Sequence, residues 1–280
     1  MTGNRQPATG NWQRKNKVWR WAKIILLIYF LIGIALYFLQ NKILLHPVAH
    51  PPGYAYTFNV PFKEVDIPIN KNENFNIVQF FPKDSLSKGV VLYFHGNMQN
   101  IYHYAKFANN FTRLGYEVWM PDYPGFGKTT GELTETKLYD EALLTYKLAN
   151  IKFTADSIII YGRSFGSGIA AELATRRDCR RLILETPYYS IPELFGYYAP
   201  IYPTSYMSKF KFPVNEYLKE VRAPVTIFHG TDDEIIPYST VEKLKNILKP
   251  ADEFIIIKNG RHNNLNDFKL FHQKLDSLLK

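Results

Sequence analysis

Apolar positions along the chain fall into three kinds of run, and each kind predicts a different element. The first is continuous: residues 24–39 carry no charge. At ~1.5 Å of rise per residue, a helix of that length crosses a hydrocarbon core when its flanks contribute. The second kind alternates. Residues 65–69 alternate apolar and other side chains, residues 75–81 are rich in β-branched and aromatic ones, and together they predict an antiparallel strand pair. The third kind is a set of short, mostly apolar runs at 89–94, 117–121, 157–161, 181–185, 225–229 and 253–257. Helical patterns at 101–114, 133–150, 169–176, 238–248 and 265–279 separate them, apart from a Pro- and Tyr-rich stretch at 187–220. Strands alternating with helices predict an α/β fold with a mostly parallel central sheet and helices on both faces. The domain reading is a basic tail over 1–23, a transmembrane anchor over 24–40, a Pro-containing connector over 41–53 and one α/β domain over 54–280, with 187–220 inserted.

Charge sharpens the reading of the first run. The formal net charge is +9, and Arg5, Arg14, Lys15, Lys17, Arg20 and Lys23 all precede the apolar stretch. A basic excess on that side predicts a cytoplasmic N-terminus and a catalytic domain on the extracytoplasmic side. Trp19, Trp21, Tyr37 and Phe38 suit the two interfaces, and the absence of a small-residue cleavage site favours a retained anchor over a signal peptide. The remaining basic residues are scattered, without basic-aromatic repeats, which argues against nucleic acid as a partner. The single cysteine, Cys179, excludes an internal disulfide; its neighbours Arg176, Arg177 and Asp178 suggest a surface position.

The strongest chemical signal is Gly162-Arg-Ser164-Phe-Gly166, set between a β-branched run and a small-residue helical run. A serine on such a short strand-to-helix turn stands clear of the sheet, with a helix N-terminus beneath it to favour developing negative charge. A serine hydroxyl needs a base, and loops at the carboxyl edge of the sheet are where one should lie. His262, between the last strand and the last helix, is placed best. His46 and His50 sit in the connector, His103 and His272 on helical runs, and His229 at a strand end. The acid that orients the base comes from Asp232, Asp233 or Glu234 after the preceding strand, with Glu185 a weaker candidate. The oxyanion donors expected are the amide of Phe165 and one from the loop His95-Gly96-Asn97. The stretch Gly125 to Gly131 is no phosphate loop, because Asp122 stands where a glycine is required and no helix follows at once. Nothing in the histidine and carboxylate spacing suggests a metal site or a cofactor.

These motifs together resemble the α/β-hydrolase superfamily and, within it, the membrane-anchored Bem46-like group. The resemblance extends from Gln40 to the C-terminus and is carried by Phe38 to Pro47 after the anchor, His95-Gly96-Asn97, Asp122 to Gly131, the Gly162 to Gly166 elbow, Glu185 to Ile191, and His229 to Pro237. It implies Asp233 as the triad acid with Ser164 and His262, and a cap at 187–220 whose Phe195, Tyr197, Tyr198, Ile201, Tyr202, Tyr206, Met207 and Phe210 line an acyl pocket, the alternative being a packed loop without substrate contact. Arg261 departs from the group's pattern, which has a small residue there. The implied protein is a monomeric, membrane-anchored serine hydrolase cleaving esters or thioesters of lipid-like acyl substrates through an acyl-enzyme. A serine peptidase or amidase, and a membrane-anchored binding protein without turnover, are the alternatives.

Overall fold

In the computed structural model, residues 9–83 and 86–280 are described, with side chains from Arg14 onward. Residues 1–8 of the expected basic tail therefore lie outside the description. The chain divides into two compact units, residues 1–44 and 45–280.

The first unit is a single helix, α1 (Thr9–Leu44). It is longer than the apolar run because the flanking Arg, Lys, Gln and Leu residues are themselves good helix formers. From Arg14 to Leu44 it is long and apolar enough to cross a membrane, and that apolar stretch is unburied.

In the second unit, among the described residues, eight strands form the main sheet. We label them β1 (Phe62–Pro68), β2 (Asn74–Phe80), β3 (Gly89–Phe94), β4 (Tyr116–Pro121), β5 (Ile158–Arg163), β6 (Arg181–Glu185), β7 (Val225–Gly230) and β8 (Glu253–Ile257). Their order across the sheet is β1-β2-β4-β3-β5-β6-β7-β8. β1 and β2 are antiparallel, β2 runs antiparallel to β4, and every later pairing is parallel. The expected sheet is thus present. β3, β4, β5 and β7 are buried throughout, which explains why most of their residues are apolar. β1, at the sheet's edge, is never fully buried along its length.

Three long helices flank the sheet: α2 (Glu135–Lys152), α3 (Gly166–Arg176) and α7 (Lys269–Leu279). α2 starts where the Thr134 side chain accepts the Lys137 amide, and α7 buries Phe271, Leu275 and Leu279 at a spacing of four. Two expected helices are broken instead. Residues 101–114 form short α and 3₁₀ segments, Ile101–Tyr104, Ala105–Phe107 and Asn109–Thr112, and residues 238–246 split into Tyr238–Val241 and Glu242–Asn246. The first break follows a stretch of Asn, Thr and aromatic residues of middling helix propensity. The last helix also begins later than the pattern suggested, after a 3₁₀ turn at Leu265–Asp267.

The 187–220 insertion carries three short helices, α4 (Ile191–Tyr198), α5 (Thr204–Met207) and α6 (Val214–Glu220). Its apolar residues do not act as one group. Tyr197, Tyr198, Ile201 and Tyr206 are exposed, whereas Phe210 is buried and stacks on Phe212, with Phe165 edge-on to both. Cys179 is half-buried beside the exposed Arg176 and Asp178, and burial pushes its thiol up to about 12.

Residues 45–53 pack as part of the domain rather than as a loose spacer. His46–Pro47 pairs in parallel with Met98–Gln99, the His46 amide donates to Asn97 O at 2.9 Å, and the His50 amide donates to Gly127 O at 2.6 Å.

Candidate active site

The parallel register brings the carboxyl ends of β3, β5, β6, β7 and β8 to one edge, where the loops are stapled to one another. Ser164 N donates to Glu185 O at 2.9 Å, Thr186 N to Phe228 O at 2.8 Å and Asp232 N to Gly260 O at 2.9 Å. The loops after β5, β7 and β8 thereby lie side by side.

Ser164 occupies the turn between β5 and α3 with φ of 50°, a left-handed conformation that costs a non-glycine residue on the order of 1–3 kcal/mol. The turn closes because its neighbours are small. A Cβ on Gly162 would lie 2.6 Å from Ala170 Cβ, and one on Gly166 would run into the backbone of Phe94 and His95. α3 then begins directly beneath the serine, with Phe165 at its N-cap.

Ser164 Oγ lies 2.9 Å from His262 Nε2, and His262 Nδ1 lies 2.8 Å from Asp233 Oδ2. All three residues are buried, at 8, 4 and 5% exposure, although 98 and 29 residues of chain separate the two contacts. A carboxylate can only accept, so Nδ1 donates and Nε2 is left to accept from the serine hydroxyl. The other carboxylate oxygen, Asp233 Oδ1, accepts the amides of Ile235 at 2.9 Å and Ile236 at 2.7 Å. Burial alone would raise the Asp233 carboxyl. The hydrogen bond and charge of His262, the Ile236 amide and His229 outweigh that and hold it below the usual range.

Of the other acids considered, Asp232 and Glu234 are exposed, and Asp232 accepts from the Thr231 hydroxyl. Glu185 is buried but accepts from Tyr161 OH at 2.5 Å, away from His262 Nδ1. Of the three carboxylates in the β7–β8 loop, which local pattern left open and the resemblance narrowed to Asp233, Asp233 is the one that points inward to His262. Arg261 is exposed, and its amide donates to Asn264 Oδ1 at 2.7 Å.

The His95-Gly96-Asn97 loop passes close to the serine: a Cβ on Gly96 would stand 3.7 Å from Ser164 Cβ. His95 is fully buried. Its ring faces Asp122 Oδ1 at 3.1 Å, packs against Tyr104 and Tyr123, and its carbonyl accepts from Tyr123 OH at 2.7 Å. This is a loop-shaping arrangement rather than that of a base. The Asp122 carboxylate also accepts the Ile101 amide at 2.9 Å, which ties the loop after β4 to the one after β3. Lys128, within the Gly125 to Gly131 stretch, is buried against Glu64 at 2.5 Å.

Two groups beside the site carry more than the sequence pattern assigned them, one of them in the structural role expected of it. His229, read as structural, sits with Nε2 3.6 Å from Asp233 Oδ2 and 3.0 Å from Ile236 O. Burial lowers its pKa, so it stays neutral and donates to the Ile236 carbonyl, bracing the acid's loop. Arg163, read only as part of the elbow, is buried beside Glu185 and Asn263. The spacing of His229 and Asp233 was a usable signal; the surroundings of Arg163 left none in the sequence. A cleft of roughly 690 Å³ opens beside α4 and α5, lined by Glu193, Tyr197, Tyr202 and Lys243 among others, and includes none of Ser164, Asp233 and His262.

Comparison with known proteins agrees with this architecture. Residues 85–211 match the serine aminopeptidase S33 family model. The α/β hydrolase domain-containing protein 17C of Xenopus tropicalis is 29% identical over 196 residues, covering 69% of this chain and 61% of that protein. The lysophosphatidylserine lipase ABHD12 of Macaca fascicularis is 30% identical over 199 residues, covering 63% of this chain and 50% of that protein. The matched region thus spans only about half to three-fifths of these relatives. An esterase from Pyrococcus furiosus superposes with a TM-score of 0.64 at 16% identity, covering 84% of this chain and 98% of that one. A soluble variant of monoglyceride lipase from Saccharomyces cerevisiae, in complex with a substrate analog, gives 0.63 at 17% identity, covering 82% and 98%. By sheet order, by the placement of its elbow and by these matches, the chain has the α/β-hydrolase fold and is similar to members of the α/β-hydrolase superfamily.

Proposed function

We propose that the protein is a membrane-anchored serine hydrolase that cleaves ester or thioester bonds of lipid-like acyl substrates. The observation that carries this reading is the continuous chain of contacts from Asp233 Oδ2 to His262 Nδ1 and from His262 Nε2 to Ser164 Oγ, at 2.8 and 2.9 Å. In this mechanism Nε2 takes the hydroxyl proton as Ser164 attacks the acyl carbonyl. Asp233 holds the imidazole in its tautomer and balances the imidazolium. The amides of Phe165 and Asn97 receive the oxyanion, assisted by the N-terminus of α3. His262 then returns its proton to the leaving group, and water, activated by the same base, releases the acyl group.

The preference for acyl esters draws on the relatives, which include a protein named as a lysophosphatidylserine lipase and a solved monoglyceride lipase. Phe210 and Phe212 beside Phe165 supply an apolar wall next to the elbow. The Bem46-like placement rests on the post-anchor and elbow motifs. In this reading α1 is the anchor and the protein acts as a monomer; the basic excess before the apolar run supports an N-terminus in the cytoplasm with residues 54–280 on the opposite side.

The test is covalent labelling of the full chain by a fluorophosphonate probe. Wild type is expected to label, Ser164→Ala and His262→Ala to lose labelling, and Asp233→Asn to label slowly. A folded wild-type protein that does not label overturns the proposal and leaves the binding-protein alternative.

A further inference from the structure

Arg163 precedes the serine, is 4% exposed, and is placed where a charge is expensive to bury. Its guanidinium lies 4.5 Å above the Phe107 ring, Nη1 is 3.5 Å from Glu185 Oε1, and Nη2 is 3.4 Å from Asn263 Oδ1. Glu185 is its register neighbour on β6, 1% exposed, and a hub in its own right. The Glu185 carbonyl accepts the Ser164 amide at 2.9 Å. Its carboxylate accepts from Tyr161 OH at 2.5 Å and from Asn266 Nδ2 at 3.3 Å.

Asn263 and Asn266 both belong to the loop that carries His262. On its Asp233 side that loop is tied by Asp232 N to Gly260 O at 2.9 Å and by Asn259 N to Thr231 Oγ1 at 2.8 Å. On its serine side, among the described contacts, the ties besides the His262–Ser164 bond itself run through Arg163 and Glu185. Asn266 is held in turn by Asn110 at 2.6 Å and by the His272 ring at 2.7 Å. A buried ion pair of this kind adds little net stability over apolar side chains of the same volume, so stability alone does not account for it.

We infer that Arg163 is a positioning residue: with Glu185 it clamps the His262 loop to the elbow strand and sets the distance between His262 Nε2 and Ser164 Oγ. The inference rests on the hydrolase reading above. The clamp acts through Asn263 and Asn266 and touches no reacting atom. Misplacement by about 1 Å costs up to ~10²-fold in rate, which sets the size of the effect.

The experiment is p-nitrophenyl butyrate hydrolysis by the full chain in detergent, with kcat, KM and thermal midpoint measured for each variant. Asn263→Ala, an exposed position, is expected to lose about tenfold in kcat, with KM within twofold and an unchanged midpoint. Arg163→Met is expected to lose about a hundredfold in kcat and some stability. Arg163→Met/Glu185→Gln removes both charges while leaving the Tyr161 and Asn266 hydrogen bonds possible; its midpoint should recover while kcat does not. Arg163→Met/Asn263→Ala should be no slower than Arg163→Met, because the two act along one path. Recovery of kcat together with the midpoint in the neutral pair, or full kcat in Asn263→Ala, overturns the clamp and leaves the hydrolase reading standing. Absence of turnover in wild type together with absence of fluorophosphonate labelling overturns the hydrolase reading itself, and the clamp with it.

Discussion

Single side chains set the chemistry, and Asp233 shows how. Burial would raise its carboxyl, yet His262, the Ile236 amide and His229 together hold it below the usual range. A carboxyl whose folded value lies below its ordinary value of 3.8 contributes stability that is present above that value. That stability is lost as pH falls through the lower folded value. Asp233→Asn should therefore flatten the fall of the thermal midpoint at pH below about 4 while lowering the midpoint at neutral pH. The same substitution should reduce turnover by roughly three to four orders of magnitude, since an amide favours the wrong imidazole tautomer. Thermal melts across pH and steady-state rates check the two halves separately. The choice of Asp233 over its neighbours was not legible from local pattern, because Asp232, Asp233 and Glu234 are chemically similar and adjacent; burial distinguishes them.

Elements carry the next level of constraint, and α2 carries one that opposes its own stability. Glu141 is 5% exposed, and neither carboxylate oxygen has a hydrogen-bond partner among the described residues. Lys137 Nζ is 4.0 Å from Glu141 Oε1 but 2.9 Å from Glu73 Oε2, so its charge is shared. Burial dominates over that attraction and pushes Glu141 up to about 8 from an ordinary 4.5. A raised carboxyl favours the folded state fully below its unfolded value, and this contribution is lost as pH rises through the folded value. Glu141→Gln should thus raise the thermal midpoint at pH 9 and leave it nearly unchanged at pH 5. An equal effect at both pH values would count against a protonated Glu141. At this scale the pattern predicted the strands well and the helices unevenly. Strands buried on both faces must be apolar, so their composition announces them. Residues 101–114 have an apolar spacing that suits one helix, yet they fold as successive short turns that place Ile101, Tyr104 and Phe111 in the core.

At the scale of the whole molecule, the segment after α1 belongs to the catalytic domain. Pairing of His46–Pro47 with Met98–Gln99, and the bond from His46 N to Asn97 O, brace the loop proposed to receive the oxyanion. A chain beginning at Leu45 should keep fluorophosphonate labelling, whereas one beginning at Tyr54 should lose most of it; equal labelling would show that the brace is dispensable. The sequence by itself determined the α/β alternation, the strand-turn-helix around Ser164 and the location of His262 after the last strand. Those features depend on periodicity and on contacts between near neighbours, which a linear pattern records. Only the tertiary structure decided that Asp233 faces His262, that Phe210 turns inward while Tyr206 is exposed, that Arg163 meets Glu185 and Asn263, and that residues 46–50 brace the Asn97 loop. Each depends on which chain segments the sheet register brings within about 3 Å of one another, a typical hydrogen-bond distance. Residues far apart in the chain carry no mark of that proximity until the sheet has formed.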